Sequence, residues 1–366
     1  SSFAVVLQGL ISVGASKAEA ASGLMVLSFA MGLCGIFLSL QSRMPISSAW
    51  SPPGAAFLVV SVVPEGGFAV AVGAFVVSAL AIIIAGLFKP LGDAVAKIPT
   101  ALANALLGGI LLSLCMAPFM AFEANPVFAM LVLFAWGIVG LWRKTLAVPA
   151  ALIVFGLYVI FGLDIPAGSF SNIGEDAIPD LIWVKPEFTL SGIINIALPL
   201  FIITMASQNL TGVAVVKSCG YPVRPGYWFT VTGIFSLVSA PFGGHGVNLA
   251  AITAAMCAGV EAHEDPKRRY WAAIIAGIGY CIFGLLAGAV TAFVSLAPVI
   301  FVQAVAGLAL IGAFARATQL AFEPEETREA AAVTFLMTAS GATILGISGA
   351  FWGLLAGGAI LMGKRV

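Results

Sequence analysis

"SAPFGGHGVNLAAITAA", Ser239–Ala255, is the stretch on which the reading of this chain turns. Proline, three glycines, a histidine and an asparagine stand together in a sequence that is otherwise almost uniformly apolar. Glycine and proline weaken helices, and polar side chains are expensive in hydrocarbon. Irregular backbone at membrane depth survives only where protein or a water-filled cavity satisfies its polar groups. The stretch therefore reads as an interruption followed by a new helix start at Gly246.

The rest of the chain supplies the membrane. Of its 366 residues 61% are hydrophobic and 9% charged, and the mean hydropathy is +1.11. Too few charges remain to cover a water-facing surface. Apolar runs near the length that crosses roughly 30 Å of hydrocarbon recur from end to end. A β-barrel would show short alternating segments instead. The fold class expected is an all-α polytopic membrane protein. Zero net charge gives no electrostatic case for nucleic acid. Cys34, Cys115, Cys219, Cys257 and Cys281 form no CxxC pair and read as small buried residues, so neither metal nor cofactor is expected. The opening "SSFAVVLQGL" lies partway into a helix and reads as the remainder of a longer N-terminal stretch, not as a cleaved signal.

Punctuation by charge, proline and glycine predicts fourteen segments. They cover 1–14, 20–41, 53–63, 67–88, 99–121, 126–142 and 146–163, then, after a polar loop at 164–187, 189–216, 226–240, 246–260, 269–291, 298–320, 327–345 and 347–363. The eighth is expected to break near its end. If both termini are cytoplasmic, fourteen of the sixteen basic residues fall inside, and only Lys17 and Lys185 fall outside. An internal repeat supports the map: "IPTALANALLGGILL" (Ile98–Leu112) aligns with "APVIFVQAVAGLALI" (Ala297–Ile311) at an offset of 199 residues. Pro99, Asn104 and Gly108 answer to Pro298, Gln303 and Gly307. Seven segments per copy is an odd number, so the second copy enters from the opposite face, as in alternating-access carriers.

The same logic pairs "MPISSAWSPPGAAFLVVS" (Met44–Ser61) with the opening stretch. Each sits in the third segment of its half, as a half-helix broken at the membrane midplane. Two such half-helices, mutually inverted, aim their N-termini at a common point and offer it N–H groups and partial positive charge. Ser51, Pro53, Gly54 and Ala55 line one end, and Gly244, His245, Gly246, Val247 and Asn248 the other. "MASQNLTGVAVV" adds Ser207, Gln208 and Asn209 from the eighth segment, beside a break at Gly212. Gln8, Asn104 and Gln303 are further polar groups placed to converge there, with Gln8 and Gln303 counted among the substrate-binding candidates, although any one of these amides taken alone reads as helix–helix glue. All sixteen carboxylates fall in loops or at segment ends, although Glu261 is close to its helix. If protons are coupled, either His245 titrates or the proton travels with the substrate.

At this point "AWSPPGAAFL" (Ala49–Leu58), "MASQNLTGVAVVKSCGYPV" (Met205–Val223) and "APFGGHGVNLAAITAA" (Ala240–Ala255) resemble the BenE family of benzoate transporters. The resemblance runs through essentially the whole chain. More remotely the chain is similar to the seven-plus-seven inverted-repeat fold of uracil permeases and sulfate permease-type carriers. This implies a core (transport) domain from 1–91 and 188–293, a gate domain from 92–163 and 294–366, and an extracytoplasmic loop at 164–187. In that fold the third and tenth helices begin with short extended segments, and substrate lies between their ends. The resemblance further implies proton-coupled benzoate uptake across the bacterial inner membrane, in a homodimer. Uracil permeases carry glutamates on helices 8 and 10, where this chain has Gln208 or Asn209, and His245 or Asn248. Neutral groups there suit an anion.

A benzoate carboxylate is accordingly expected between the half-helix ends, taking backbone N–H bonds near Ala55 and Val247. Side-chain donors would come from Gln208, Asn209, His245 or Asn248, and the ring wall from Phe3, Phe57 or Phe301. The competing readings are a carrier of this fold for another small anion or a nucleobase, and an anion channel. An enzyme is not expected, because one intramembrane histidine without a buried carboxylate assembles no hydrolytic site.

Overall fold

Pro99 and Pro298 each stand one residue before a long helix in the computed structural model, which describes residues 3–88, 90, 99–163, 178–259, 262–344 and 347–363. The helices of the first half are α1 (Phe3–Ser12), α2 (Lys17–Ser42), α3 (Pro52–Val59), α4 (Phe68–Leu87), α5 (Thr100–Ala124), α6 (Pro126–Trp142) and α7 (Lys144–Gly162). Those of the second are α8 (Leu190–Lys217), α9 (Pro225–Ser239), α10 (Ala251–Ala258), α11 (Tyr270–Leu285), α12 (Val299–Phe322), α13 (Arg328–Ala339) and α14 (Gly349–Gly363). After Leu286, α11 is continued by Ala287–Val294, bent by 58°, where one straight segment was expected. Among the described residues, α2, α4, α5, α8 and α12 are each long and apolar enough to cross a membrane, and the bent α11 adds a sixth if it is one span.

The mostly helical chain also contains four short strands. β1 (Ser48–Trp50) and β2 (Val247–Leu249) precede α3 and α10, and β3 (Thr343–Ile344) pairs with β4 (Ile347–Ser348) between α13 and α14. β1 and β2 are displaced by 199 residues at both ends, and so are α3 and α10. That is the spacing between Pro99 and Pro298. β1 and β2 pair antiparallel, with Ser48 opposite Leu249, Ala49 opposite Asn248 and Trp50 opposite Val247. Equivalent strands running in opposite directions are what two inverted copies would produce. With eight residues each, α3 and α10 are about 12 Å long, well short of the roughly 30 Å of a bilayer core.

Local signals explain most boundaries. Ser16 and Glu19 form a reciprocal cap on α2, with Glu19 N–H donating to Ser16 Oγ at 3.2 Å and Ser16 N–H to Glu19 Oε2 at 2.8 Å. Pro52 opens α3 and Pro225 opens α9, where a missing N–H costs nothing. Several expectations shift. α3 ends at Val59 and α13 at Ala339, both earlier than expected. α10 begins at Ala251, because Gly246–Leu249 is extended. The anticipated break at Gly212 is absent; α8 instead widens into π turns at Ile193–Ala197 and Met205–Asn209.

Among the described residues three apolar clusters hold the fold, the smallest of them Ala101, Ala105, Ala321 and Ala331, where α5, α12 and α13 meet. The largest includes Leu10, Phe57, Phe75, Leu111, Leu200 and Trp228, from α1, α3, α4, α5, α8 and α9. The second gathers Phe128, Phe155, Val159 and Phe301 from α6, α7 and α12. Phe301 stacks on Phe128 with ring centroids 3.9 Å apart and is buried there, so it is a packing residue and not the expected ring wall. Phe3 likewise packs against Phe283, at 5.8 Å. The extended residues 181–189 lie across the helices: Ile182 N–H donates to Ser22 Oγ at 3.0 Å and Glu187 N–H to Ala69 O at 3.0 Å. The boundary expected at 91/92, most of the loop 164–187, and Glu261 fall outside the described residues.

Candidate functional site

The β1–β2 ladder brings the two interrupted segments together. His245 Nε2 lies 3.3 Å from the carbonyl oxygen of Ser51, the residue that begins α3. A carbonyl only accepts, so Nε2 carries the hydrogen and Nδ1 of the neutral ring is a bare acceptor. That Nδ1 and the Asn248 Oδ1 are buried without a hydrogen-bond partner among the described residues. The imidazole is 2% exposed and meets the edge of Phe75 on α4, at 6.5 Å between ring centres. Buried acceptors without donors are rare in proteins and mark places where something else binds. Gly243 and Gly246 give the chain its course here, with φ of +94° and +150°, a region that side chains resist. Gly244 N–H donates to Ser239 O at 3.0 Å, and a Cβ on Gly244 would lie 2.6 Å from Ser239 Oγ.

The strands are pinned from both sides by buried polar groups. Val247 N–H donates to Ser236 Oγ at 2.8 Å, and Leu249 N–H to Asn209 Oδ1 at 3.0 Å. Ser48 Oγ donates to Met31 O at 2.6 Å, and Ala250 N–H to Ser47 O at 2.9 Å. Ser48 and Ser236 escaped the sequence reading, because a serine among small helical residues carries no local signal of such a role. Asn209, fully buried, ties α8 to β2. Its replacement by alanine strands the Leu249 N–H, at a cost of about 1–3 kcal/mol. Asn209→Ala is therefore expected to lower the thermal midpoint and to weaken ligand affinity together. Retained affinity in a binding titration would separate Asn209 from the site.

The two half-helix ends are not equivalent. At α3, Pro52 and Pro53 have no donor, Gly54 N–H is taken by Ser51 Oγ at 3.0 Å, and Ala55 N–H by Ser51 O at 2.8 Å. At α10 the N-cap is Ala250, which provides no side-chain cap. The expected donors near Ala55 and Val247 are thus both engaged inside the protein.

The remaining candidates divide. The π turn Met205–Asn209 holds Ser207, Gln208 and Asn209; such turns recur at functional sites because the extra residue re-aims side chains. Ser207 Oγ donates back to Ile203 O at 2.6 Å, whereas the half-buried Gln208 amide bonds to no described residue. Gln8 lies on α1, which packs on α3 so closely that a Cβ on Gly9 would sit 2.7 Å from Ala55 O. Its amide reaches Ser12 Oγ at 3.5 Å. Gln303 is half-buried on α12, away from the ladder.

A cavity of about 370 Å³ opens between α3, α5, α8, α13 and α14, with Phe57, Ser61, Ser113, Asn195 and Thr338 in its wall. Of the expected binding residues only Phe57 lines it. Ser51, His245, Asn248 and Asn209 are buried and do not line it, and Ser51, at the start of α3, is roughly 9 Å along that helix from Phe57. Among the described residues no three His, Cys, Asp or Glu side chains gather where a metal ion could bind.

The family described as BenE, benzoate membrane transport protein, matches residues 1–362. The chain is 38% identical over 362 residues to the inner membrane protein YdcO of Escherichia coli, covering 98% of this chain and 90% of that one. It is 32% identical over 351 residues to a benzoate membrane transport protein of Acinetobacter baylyi, covering 94% and 87%. The transmembrane domain of a cyanobacterium bicarbonate transporter, BicA, superposes with a TM-score of 0.56 at 17% identity, over 97% of this chain and 96% of that one. SLC26A9 superposes with a TM-score of 0.57 at 14% identity, over 100% of this chain and 64% of that one. At such identities the two structures speak for the fold alone.

Proposed function

The chain belongs to the BenE family of benzoate membrane transport proteins, and from that membership we propose that it imports benzoate, or a similar aromatic carboxylate, together with a proton. In this reading fourteen segments cross the inner membrane of a bacterium, with both termini inside, as a homodimer. A core domain (1–91 and 188–293) moves against a gate (92–163 and 294–366). The carboxylate sits at the uncapped N-terminus of α10, between Gly246–Asn248 and the Ser51–Ala55 end of α3, with Gln208 as side-chain donor. Gln8 and Phe57 flank the ring on the core side and Gln303 on the gate side. Ser207 and Asn209 hold the π turn and β2 in place.

The observation that carries the reading is the pair of buried acceptors without a donor among the described residues, His245 Nδ1 and Asn248 Oδ1, beside the start of α10, whose N-cap residue gives no side-chain cap. A proton on Nδ1 turns an orphaned acceptor into a donor aimed at an anion. Burying one unpaired charge in such a place is expensive, whereas a carboxylate and an imidazolium together are neutral. At 4 Å and an effective dielectric near 20 their attraction is about 4 kcal/mol. Each ligand therefore favours the other by the same factor. The empty site and the doubly loaded site are the ones that pass through occlusion, and symport follows from that selection.

A competition panel on the purified protein tests the substrate. Benzoate and ring-substituted benzoates are expected to raise the thermal midpoint and to compete for uptake; at a hundred times Kd the stabilisation is about 2.7 kcal/mol. Competition by sulfate or uracil with no effect of benzoate would assign the fold to another cargo. Non-saturating flux in proteoliposomes would assign it to a channel.

A further inference from the structure

A second recess, of about 660 Å³, lies at the far end of α2 and α11 and has no part in the proposed transport reaction. Arg43, His263, Lys267, Arg268, Trp271 and Ile275 line it. We propose that it holds the headgroup of an anionic phospholipid of the inner leaflet. The proposal rests on the topology above, which puts these basic loops inside, but not on the identity of the cargo.

The polar lining is a set of donors. His263 Nδ1 accepts from Asp265 N–H at 2.9 Å, so the neutral ring keeps its hydrogen on Nε2. Arg268 lies 3.9 Å from Asp265, in a solvent-exposed pair of little strength that an incoming phosphate can replace. No described carboxylate lies within 4.0 Å of Arg43 or Lys267. The walls are built before any ligand arrives. The buried Arg269 guanidinium donates to Ala258 O at 2.8 Å, His263 O at 2.8 Å and Glu264 O at 3.3 Å, and Tyr221 OH donates to Pro266 O at 3.0 Å. Arg43 ends α2 in a left-handed conformation, φ 53°, unlike every other described non-glycine residue.

Lipid, and not a soluble anion, is indicated by what adjoins the cations. Trp271 is 52% exposed, and indole rings favour the headgroup level of a bilayer. From Ile275 the exposed apolar residues continue along α11 through Ile278 and Ile282, and α2 carries exposed Leu33, Phe37 and Leu40. A phosphate in the recess therefore has apolar helix surface beside it for its acyl chains. Clustered cations next to membrane helices act on anionic lipid in this way.

The test uses the delipidated full-length chain in detergent, without benzoate. Added dioleoylphosphatidylglycerol is expected to raise the thermal midpoint, whereas dioleoylphosphatidylcholine and free glycerol 3-phosphate are not. The double variant Arg43→Gln/Lys267→Gln should need roughly 25-fold more phosphatidylglycerol, about fivefold for each charge removed. Lys217→Gln, which removes an exposed cation outside the recess, should respond as the parent does. Equal stabilisation by phosphatidylcholine, or an unchanged response of the double variant, would overturn the proposal. So would stabilisation by glycerol 3-phosphate or benzoate alone that the double variant loses, since the recess would then hold a small anion.

Discussion

Replacing His245 with glutamine is expected to abolish proton-driven accumulation of benzoate while leaving a folded protein that binds it more weakly. Glutamine offers an N–H toward the Ser51 carbonyl, which His245 Nε2 meets at 3.3 Å, but it has no lone pair that takes up a proton near neutral pH. The thermal midpoint should therefore change little. With an inward proton gradient the internal benzoate concentration should not rise above its passive equilibrium value, and exchange of labelled for unlabelled benzoate should slow with it, since benzoate alone leaves an unpaired charge in the occluded site. Alanine at the same position is a harsher change, because it also leaves the Ser51 carbonyl unpaired and a void beside Phe75. Gradient-dependent accumulation by His245→Gln equal to that of the parent would remove His245 from the coupling step and leave a proton that travels on the substrate.

The second large effect is on stability. In the α5–α12 seam, a Cβ built on Gly307 would fall on the Leu114 carbonyl oxygen and lie 2.9 Å from Pro118 Cδ. Backbone cannot yield as a flexible side chain does, so Gly307→Leu must push two long helices apart. Overpacking of this kind costs about 3 kcal/mol or more and is expected to lower the thermal midpoint by roughly 5–10 °C. Gly312, about one and a half turns further along α12 and so on a different face, has nothing within 4 Å of the corresponding Cβ. Gly312→Ala should leave the midpoint unchanged or raise it slightly, since alanine is the better helix former. Equal losses from both substitutions would mean that α12 does not pack on α5 through Gly307.

Much of this architecture was legible from a handful of residues. Pro99 and Pro298 mark the starts of α5 and α12, and their offset of 199 residues carries β1 onto β2 and α3 onto α10. What local reading could not supply was the state of Gly246–Leu249. Val247, Asn248 and Leu249 suit a helix or a strand, and the choice falls to distant partners: Ala49 across the ladder, Ser236 on α9 and Asn209 on α8. The same holds for the half-helix ends. A proline at the start of α3 is a sound helix signal, yet Ser51 and the two prolines use up or remove the donors that the signal promises. The π turn at Met205–Asn209 has no sequence mark beyond its polar residues, so the break was placed at Gly212. Phe301 shows the limit of reasoning from residue type, because an aromatic side chain near a site and one inside a packed cluster look alike until Phe128 is found against it.

The central claim is that one proton moves with each benzoate because the enclosed site tolerates only neutral loads. Proteoliposomes with an entrapped pH dye, held well above the pKa of benzoic acid so that the free acid does not leak, measure this directly. Adding benzoate outside without an imposed gradient should acidify the lumen in proportion to the labelled benzoate taken up, and the acidification should saturate with the uptake. Saturable benzoate entry with no change in internal pH would contradict the account.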